Sequence, residues 1–105
     1  MEHLEFTFPG RRAATGRKHA VLVGVVGSGN LEVLLEPKPL GGACQIVVKT
    51  AVAGFGEIWQ AVLEDFCRRH GLGDLLVSIN DLGATPAVVA LRLDQAVHEL
   101  EGSGP

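Results

Sequence analysis

The fold is decided by residues 19–37, which read HAVLVGVVGSGNLEVLLEP. Two mainly apolar runs, the first rich in valine at 19–26 and the second at Leu31–Leu35, stand on either side of the tetrapeptide GSGN at 27–30. Such runs are typical of strands, and a short glycine-rich connection between them predicts a β-hairpin. Pro37 ends the second strand. We therefore predict a hairpin with the four-residue turn at its tip.

Hydrophobic patterning predicts the remaining strands and helices. Strands are expected at Glu5–Phe8, Gln45–Val52 and Leu75–Ile79. An amphipathic helix is predicted over 55–70, because apolar residues recur there at helical spacing and a glycine follows a basic last turn. Thr85-Pro86 is a signal for a helix start. The stretch 86–93 fits a buried strand as well as a helix, so we assign only Asp94–Leu100 to a second helix.

These elements predict an α+β fold, with a mainly antiparallel sheet and one or two packed helices. The 105 residues are expected to form a single domain, with a flexible basic loop at 10–18 and a frayed tail at 101–105. Hydrophobic residues make up 47% of the chain and charged residues 20%. That composition supports a packed core and disfavours global disorder.

Charge and composition exclude several classes of function. A formal net charge of −3 disfavours nucleic-acid binding. No apolar run approaches the ~20 residues that span a bilayer, and the acidic start, 1–5, does not resemble a signal peptide, so we expect a cytoplasmic protein. The four histidines lack metal-ligand spacing, and Cys44 and Cys67 are expected to be buried, reduced thiols. Without an evident acid, base or metal set, a carrier, adaptor or subunit is favoured over a stand-alone enzyme.

Ser28 is the candidate for chemistry in the hairpin turn. Gly27 and Gly29 flank it without side chains, so its hydroxyl is open to a modifying enzyme, and an attached group could swing freely. The alternative is that Gly27, Ser28, Gly29 and Asn30 simply make a good turn, since such residues dominate hairpin connections.

Two segments carry a resemblance to a known family. Residues 27–37 and 81–86, which read GSGNLEVLLEP and DLGATP, resemble the acyl carrier (delta) subunit of bacterial malonate decarboxylase. The likeness extends over roughly 4–100. The acyl carrier subunit of citrate lyase is a more distant match. The helical-bundle acyl carrier proteins have an Asp-Ser-Leu motif, which is absent from this chain, so a four-helix carrier bundle is not expected.

The resemblance implies a site and a cofactor. Ser28 would bear 2'-(5''-phosphoribosyl)-3'-dephospho-CoA through a phosphodiester, with Gly27, Gly29 and Asn30 forming the turn that presents it. The chain itself would supply no catalytic residue and no metal ligand. In this family the residue at the position of Asn30 is usually Asp, and both residue types suit left-handed turn positions.

The resemblance also implies partners. The thiol of the arm would carry acetyl and malonyl groups between a transferase subunit and a decarboxylase subunit, and a separate transferase would attach the arm. No nucleic acid or membrane is expected as a partner. Two other interpretations remain open: a citrate-lyase-type carrier, and a non-enzymatic scaffold or binding module.

Two further groups of residues are secondary candidates. Asp81 and the residues after it are expected to form a structured turn and helix start, which could lie beside the hairpin and help to present it. The N-terminal basic cluster is either a solvated loop or a contact for the phosphates of the arm or for an acidic partner. Its members are Arg11, Arg12, Arg17 and Lys18.

Overall fold

The central sheet has five strands, in the order β1-β5-β7-β4-β3. The computed structural model describes residues 1–13, 20–23 and 31–102. The sheet strands are β1 (Glu2–Pro9), β3 (Val21–Val23), β4 (Leu31–Pro37), β5 (Ala43–Thr50) and β7 (Leu75–Asp81). A separate pair consists of β2 (Arg12–Ala13) and β6 (Leu72–Gly73), and the helices are α1 (Gly56–His70) and α2 (Pro86–Gly102).

Three of the four strand pairings in the sheet are antiparallel, and the β5–β7 pairing is parallel. A parallel pair needs a long crossover connection, which α1 supplies between β5 and β7. The β3–β4 pairing, with Val21 opposite Leu35 and Val23 opposite Val33, confirms the predicted hairpin. Its turn and the outer parts of the first predicted strand, at 24–30 and 19, lie outside the described residues.

Both helices pack on one face of the sheet. Alternate residues of β4, β5 and β7 are buried, and they join apolar side chains of α1 and α2 in one core. Leu31, Ile46, Val77, Leu63 and Leu93 have essentially no exposed surface. This two-layer arrangement confirms the predicted α+β class and excludes a four-helix bundle.

The predicted α1 is confirmed at its C-terminal end. Arg68, Arg69 and His70 fill the last turn, and Gly71 adopts a left-handed conformation with φ of 67°. The Gly71 N–H donates to the Cys67 carbonyl over 2.8 Å, which is the expected end of a helix. The cations lie where the negative end of the helix dipole favours them.

The open question about 86–93 is answered by α2, which is helical from Pro86. The Val88 N–H donates to the Thr85 hydroxyl, so Thr85 caps the helix as predicted. Val89 and Leu93 are buried, whereas Leu91 is 62% exposed. A half-buried strand would bury residues two apart, so the i, i+4 spacing of the buried positions explains why this segment is a helix.

The ends of the basic and C-terminal segments differ from the predicted loop and tail. Arg12–Ala13 forms β2, parallel to β6, and 14–18 lies outside the described residues. Glu101 and Gly102 belong to α2, and Glu101 forms an ion pair of 2.7 Å with Arg12. Residues 103–105 lie outside the described residues. Strand pairing and the ion pair hold the described parts of these two segments.

Candidate functional site: the sheet end at Leu31 and Asp81

Three strands share an end at the first residue of β4. Leu31 lies opposite Asp81, the last residue of β7, and Asp81 lies opposite Thr50, the last residue of β5. The segment that contains Ser28 joins the sheet at Leu31. Ser28 and its neighbours Gly27, Gly29 and Asn30 lie outside the described residues, and the described residues on either side of that segment are Val23 and Leu31.

Asp81 organises this end of the sheet. Its side chain is buried and accepts three hydrogen bonds, from the Thr50 hydroxyl at 2.8 Å and from the N–H groups of Gly83 and Ala84 at 3.1 and 2.8 Å. Its carbonyl accepts a fourth, from the Ala51 N–H at 2.9 Å. Buried carboxylates are tolerated when their oxygens are satisfied in this way. The predicted structured turn at Asp81 is therefore confirmed.

The turn after Asp81 requires a glycine. Gly83 has φ of 118°, a conformation that side chains of L-residues rarely adopt. It redirects the chain so that Thr85 can cap α2 two residues later. The sequence DLGATP is thus a strand end, a tight turn and a helix start in six residues.

An apolar cavity of about 240 Å³ opens beside this turn. Its walls come from the start of α1, the start of α2 and the segments that follow β5 and β7. The apolar side chains that shape it are those of Val52, Phe55, Ile58, Trp59, Val62 and Val89. Thr50 and Asp81 form its polar base, and their side chains are hydrogen-bonded to each other.

At the rim of this cavity, two side chains are more exposed than the helical periodicity predicts. Phe55 and Ile58 follow the apolar spacing of α1, which predicts burial, yet they are 45% and 44% exposed. Trp59, one position further, is buried as predicted. Around the start of α1, Trp59 thus reaches the core, whereas Phe55 and Ile58 line the cavity with much of their surface exposed. Helical spacing gives these three side chains one apolar face and does not separate the buried part of that face from the exposed part.

Arg11 and Arg12, the described members of the basic cluster, lie at the other end of the sheet. Arg11 and Arg12 follow β1, whose last residue Pro9 pairs with the first residue of β5. The seven-residue β7 separates that end from Asp81 by about 20 Å. The Arg11 guanidinium donates to the Arg68 carbonyl, and Arg12 donates to the His70 carbonyl. These two arginines therefore fasten the end of α1, which argues against the phosphate contact. Arg17 and Lys18 lie outside the described residues.

Charged side chains link the C-terminal end of α1 to the middle of α2. Asp94 of α2 is 2.9 Å from both His70 Nε2 and Arg69 Nη1 of α1. Burial raises the pKa of Asp94, but the hydrogen bonds from His70 and Arg69 outweigh it, and the net pKa lies below the ordinary value. This cluster is part of the framework, far from Leu31 along the sheet.

The thiols are buried as predicted, and both are free. The hydrogen bond between the Cys44 thiol and Cys67, together with burial, raises the pKa of Cys44. The same hydrogen bond lowers the pKa of Cys67 against the effect of burial. Within 1–13, 20–23 and 31–102, no three His, Cys, Asp or Glu side chains are grouped so that they could hold a metal ion. In the same ranges, no helix is long and apolar enough to cross a membrane.

The chain thus folds as a five-stranded sheet with two helices on one face, which differs from a helical carrier bundle, and its sequence has a glycine-flanked serine three residues before β4. The family model of the malonate decarboxylase delta subunit (MdcD) matches residues 18–100. The chain belongs to this family of acyl carrier subunits. The matched range includes Ser28 and both segments that carry the resemblance.

Curated relatives agree over nearly the whole chain. The malonate decarboxylase acyl carrier protein of Xanthomonas campestris pv. campestris (strain B100) is 64% identical over 104 residues, covering 98% of each chain. That of Burkholderia cepacia is 62% identical over 100 residues, covering 95% of this chain and 91% of the relative. A chain in the crystal structure of a Pseudomonas malonate decarboxylase hetero-tetramer in complex with malonate has a TM-score of 0.81 and 46% identity, covering 95% of this chain and 99% of that chain.

Proposed function

We propose that this chain is the arm-bearing subunit of a malonate decarboxylase and that Ser28 is the attachment residue. The observation that carries the proposal is the family match over residues 18–100, a range that includes Ser28. The strand register supports the proposal, because Leu31, at which the segment with Ser28 joins the sheet, pairs with Asp81 of the hydrogen-bonded turn. That segment is therefore attached to a well-packed part of the domain. An arm attached near that part can move while the domain stays fixed.

The proposed prosthetic group is 2'-(5''-phosphoribosyl)-3'-dephospho-CoA, bound through a phosphodiester to the Ser28 oxygen. When bound, it supplies a terminal thiol that carries acetyl and malonyl groups as thioesters. Only the uncharged acyl thioester end of such a group fits the apolar cavity beside Asp81, because the cavity has a volume of about 240 Å³ and no cationic side chain lines it. The chain's own part is to hold and present the arm, and we propose that it is not itself catalytic.

The partners follow from the proposed role. The carrier would meet a transferase subunit, which exchanges acetate for malonate, and a decarboxylase subunit, which stabilises the negative charge that develops as carbon dioxide leaves. Attachment of the arm to the carrier raises the effective concentration of the acyl group near both subunits, to the order of millimolar for a short flexible tether. The hetero-tetramer of the Pseudomonas enzyme supports association with other subunits. A cytoplasmic location is proposed with this role.

The proposal is tested by reconstituting the decarboxylase with Ser28→Ala. We expect malonate-dependent release of carbon dioxide to fall to the level without carrier, because the arm has no attachment atom. Ser78→Ala is the matched control, since Ser78 lies in the middle of β7 on the face away from the helices. It should retain activity. Undiminished decarboxylation with Ser28→Ala would contradict the carrier role and favour the scaffold interpretation.

A further inference from the structure

The apolar cavity has features of a binding site for a small, uncharged group. Its volume of about 240 Å³ corresponds to roughly eight water molecules, which is less than drug-sized ligands need. Its walls are almost entirely apolar, and Trp59 provides a large flat surface. The hydroxyl of Thr50 and the carboxylate of Asp81 at its base already bond each other and the following turn. A ligand here would therefore gain from apolar contact far more than from hydrogen bonding.

The cavity lies close to the chain segment that would bear the arm. Asp81 lines the cavity and is paired with Leu31. Ser28 precedes Leu31 by three residues, so chain connectivity keeps their Cα atoms within about 11 Å of each other. The basic cluster at Arg11 and Arg12, by contrast, lies about 20 Å away along β7. An arm on Ser28 is thus attached three residues before the strand position that pairs with the cavity residue Asp81.

The charge of the acyl group decides whether the acetyl or the malonyl thioester fits the cavity. An acetyl thioester is neutral and ends in a methyl group, which suits apolar walls. A malonyl thioester ends in a carboxylate, which would lose water without finding a cationic partner among the lining side chains. The Asp81 carboxylate at the base would also oppose a second negative charge.

We propose that this cavity shelters the acetyl thioester end of the arm and excludes the malonyl form. The inference rests on the proposed function of Ser28. If so, the carrier itself treats its two acyl forms differently. The acetyl form is shielded from water between turnovers. The malonyl form stays outside the domain, where the decarboxylating partner can reach it. The exposed rim at Phe55 and Ile58 is the apolar entrance to this shelter.

The first test uses the unmodified chain and free ligands, so it does not depend on Ser28. Trp59 is the only tryptophan in the sequence and forms part of the wall, so its fluorescence reports occupation of the cavity. S-acetyl-pantetheine should change the emission in a saturable way, and S-malonyl-pantetheine should not. Equal responses to both compounds, or no response to either, would overturn the proposed selectivity.

The second test measures spontaneous hydrolysis of the thioester on the modified carrier, after its intact mass has established that the arm is attached. Ala84→Leu fills the cavity from its wall, whereas Ala87→Leu adds the same atoms to an exposed position of α2. Hydrolysis of the acetyl form should be severalfold slower in the wild-type chain and in Ala87→Leu than in Ala84→Leu. The malonyl form should hydrolyse at one rate in all three proteins.

Each contrary result has its own meaning. Equal acetyl hydrolysis in Ala84→Leu and the control would overturn the shelter, even with the arm on Ser28. Ile58→Ser would then test whether another chain covers the rim, since loss of self-association would identify a second copy and loss of complex assembly a partner subunit. Absence of the arm would instead refute the proposed function, while the fluorescence titration would still judge the cavity.

Discussion

Asp74 shows how one residue can fix a loop. It is in a left-handed conformation with φ of 50°, which is uncommon outside glycine. Its Oδ1 accepts the N–H groups of Leu40 and Gly42 at 2.9 and 2.8 Å, so it ties the turn before β5 to the start of β7. These two hydrogen bonds lower the pKa of Asp74 from its ordinary value of 3.8. The carboxylate therefore contributes stability above that value, and the contribution is lost as the pH falls through the lower pKa of the folded state.

Asp74→Asn should make the free energy of unfolding less dependent on pH in the acid range. Asn tolerates the left-handed conformation and keeps an acceptor oxygen, but it cannot titrate. Urea unfolding followed from neutral pH into the acid range should show a steeper loss of stability for the wild type than for the variant below the ordinary pKa, because only the wild type loses the contribution of an ionised side chain. Asp74→Ala, which loses both the acceptor and the tolerance of positive φ, should be less stable than Asp74→Asn at pH 7. Parallel pH profiles for the wild type and Asp74→Asn would contradict this assignment.

At the scale of elements, the chain is held by a close crossing of three backbone segments. A Cβ atom on Gly73 of β6 would lie 2.1 Å from the Gly42 carbonyl oxygen, and one on Gly10 would lie 2.3 Å from the Gly73 Cα. All of these neighbours are backbone atoms, which cannot turn aside as a flexible side chain can. The crossing brings β6, the turn before β5 and the end of β1 together, at the end of the sheet opposite Asp81.

Gly73→Ala should destabilise the fold by about 2 kcal/mol or more, because the added methyl group overpacks a backbone contact. Gly56→Ala is the matched control. Its Cβ would meet only Leu4 Cδ2, at 3.9 Å, and alanine is the better helix former, so we expect unchanged or slightly higher stability. Thermal unfolding of both variants checks the comparison. Equal melting temperatures would show that the crossing can relax.

At the scale of the whole molecule, local patterns predict the elements well and their partners less well. The alternation of β4 and β7 and the helical spacing of α1 follow from which side chains must face the core. The parallel pairing of β5 with β7 does not follow from the sequence pattern, because side chains alternate in the same way in parallel and antiparallel strands. The ambiguity at 86–93 arose because β-branched residues suit strands, whereas burial of Val89 and Leu93 selects the helix.

The candidate site could likewise be predicted only in part from the sequence. Ser28 could be singled out from its flanking glycines and from the family resemblance, because a short motif carries that information. The cavity could not, since it is formed by two stretches of sequence, 50–62 and 81–89, that only the fold brings together. Helical periodicity alone assigned Phe55 and Ile58 to the core. It contains no information about where the sheet beneath the helix ends.

The central claim is tested most directly by the intact mass of the chain, purified from a host that contains its own modification genes, followed by peptide mapping. The account predicts one adduct with the mass of phosphoribosyl-dephospho-CoA, confined to the peptide that contains Ser28 and absent in Ser28→Ala. An adduct on another residue, or an unmodified mass in the presence of an active transferase even after Asn30→Asp, would contradict the claim that Ser28 carries the arm.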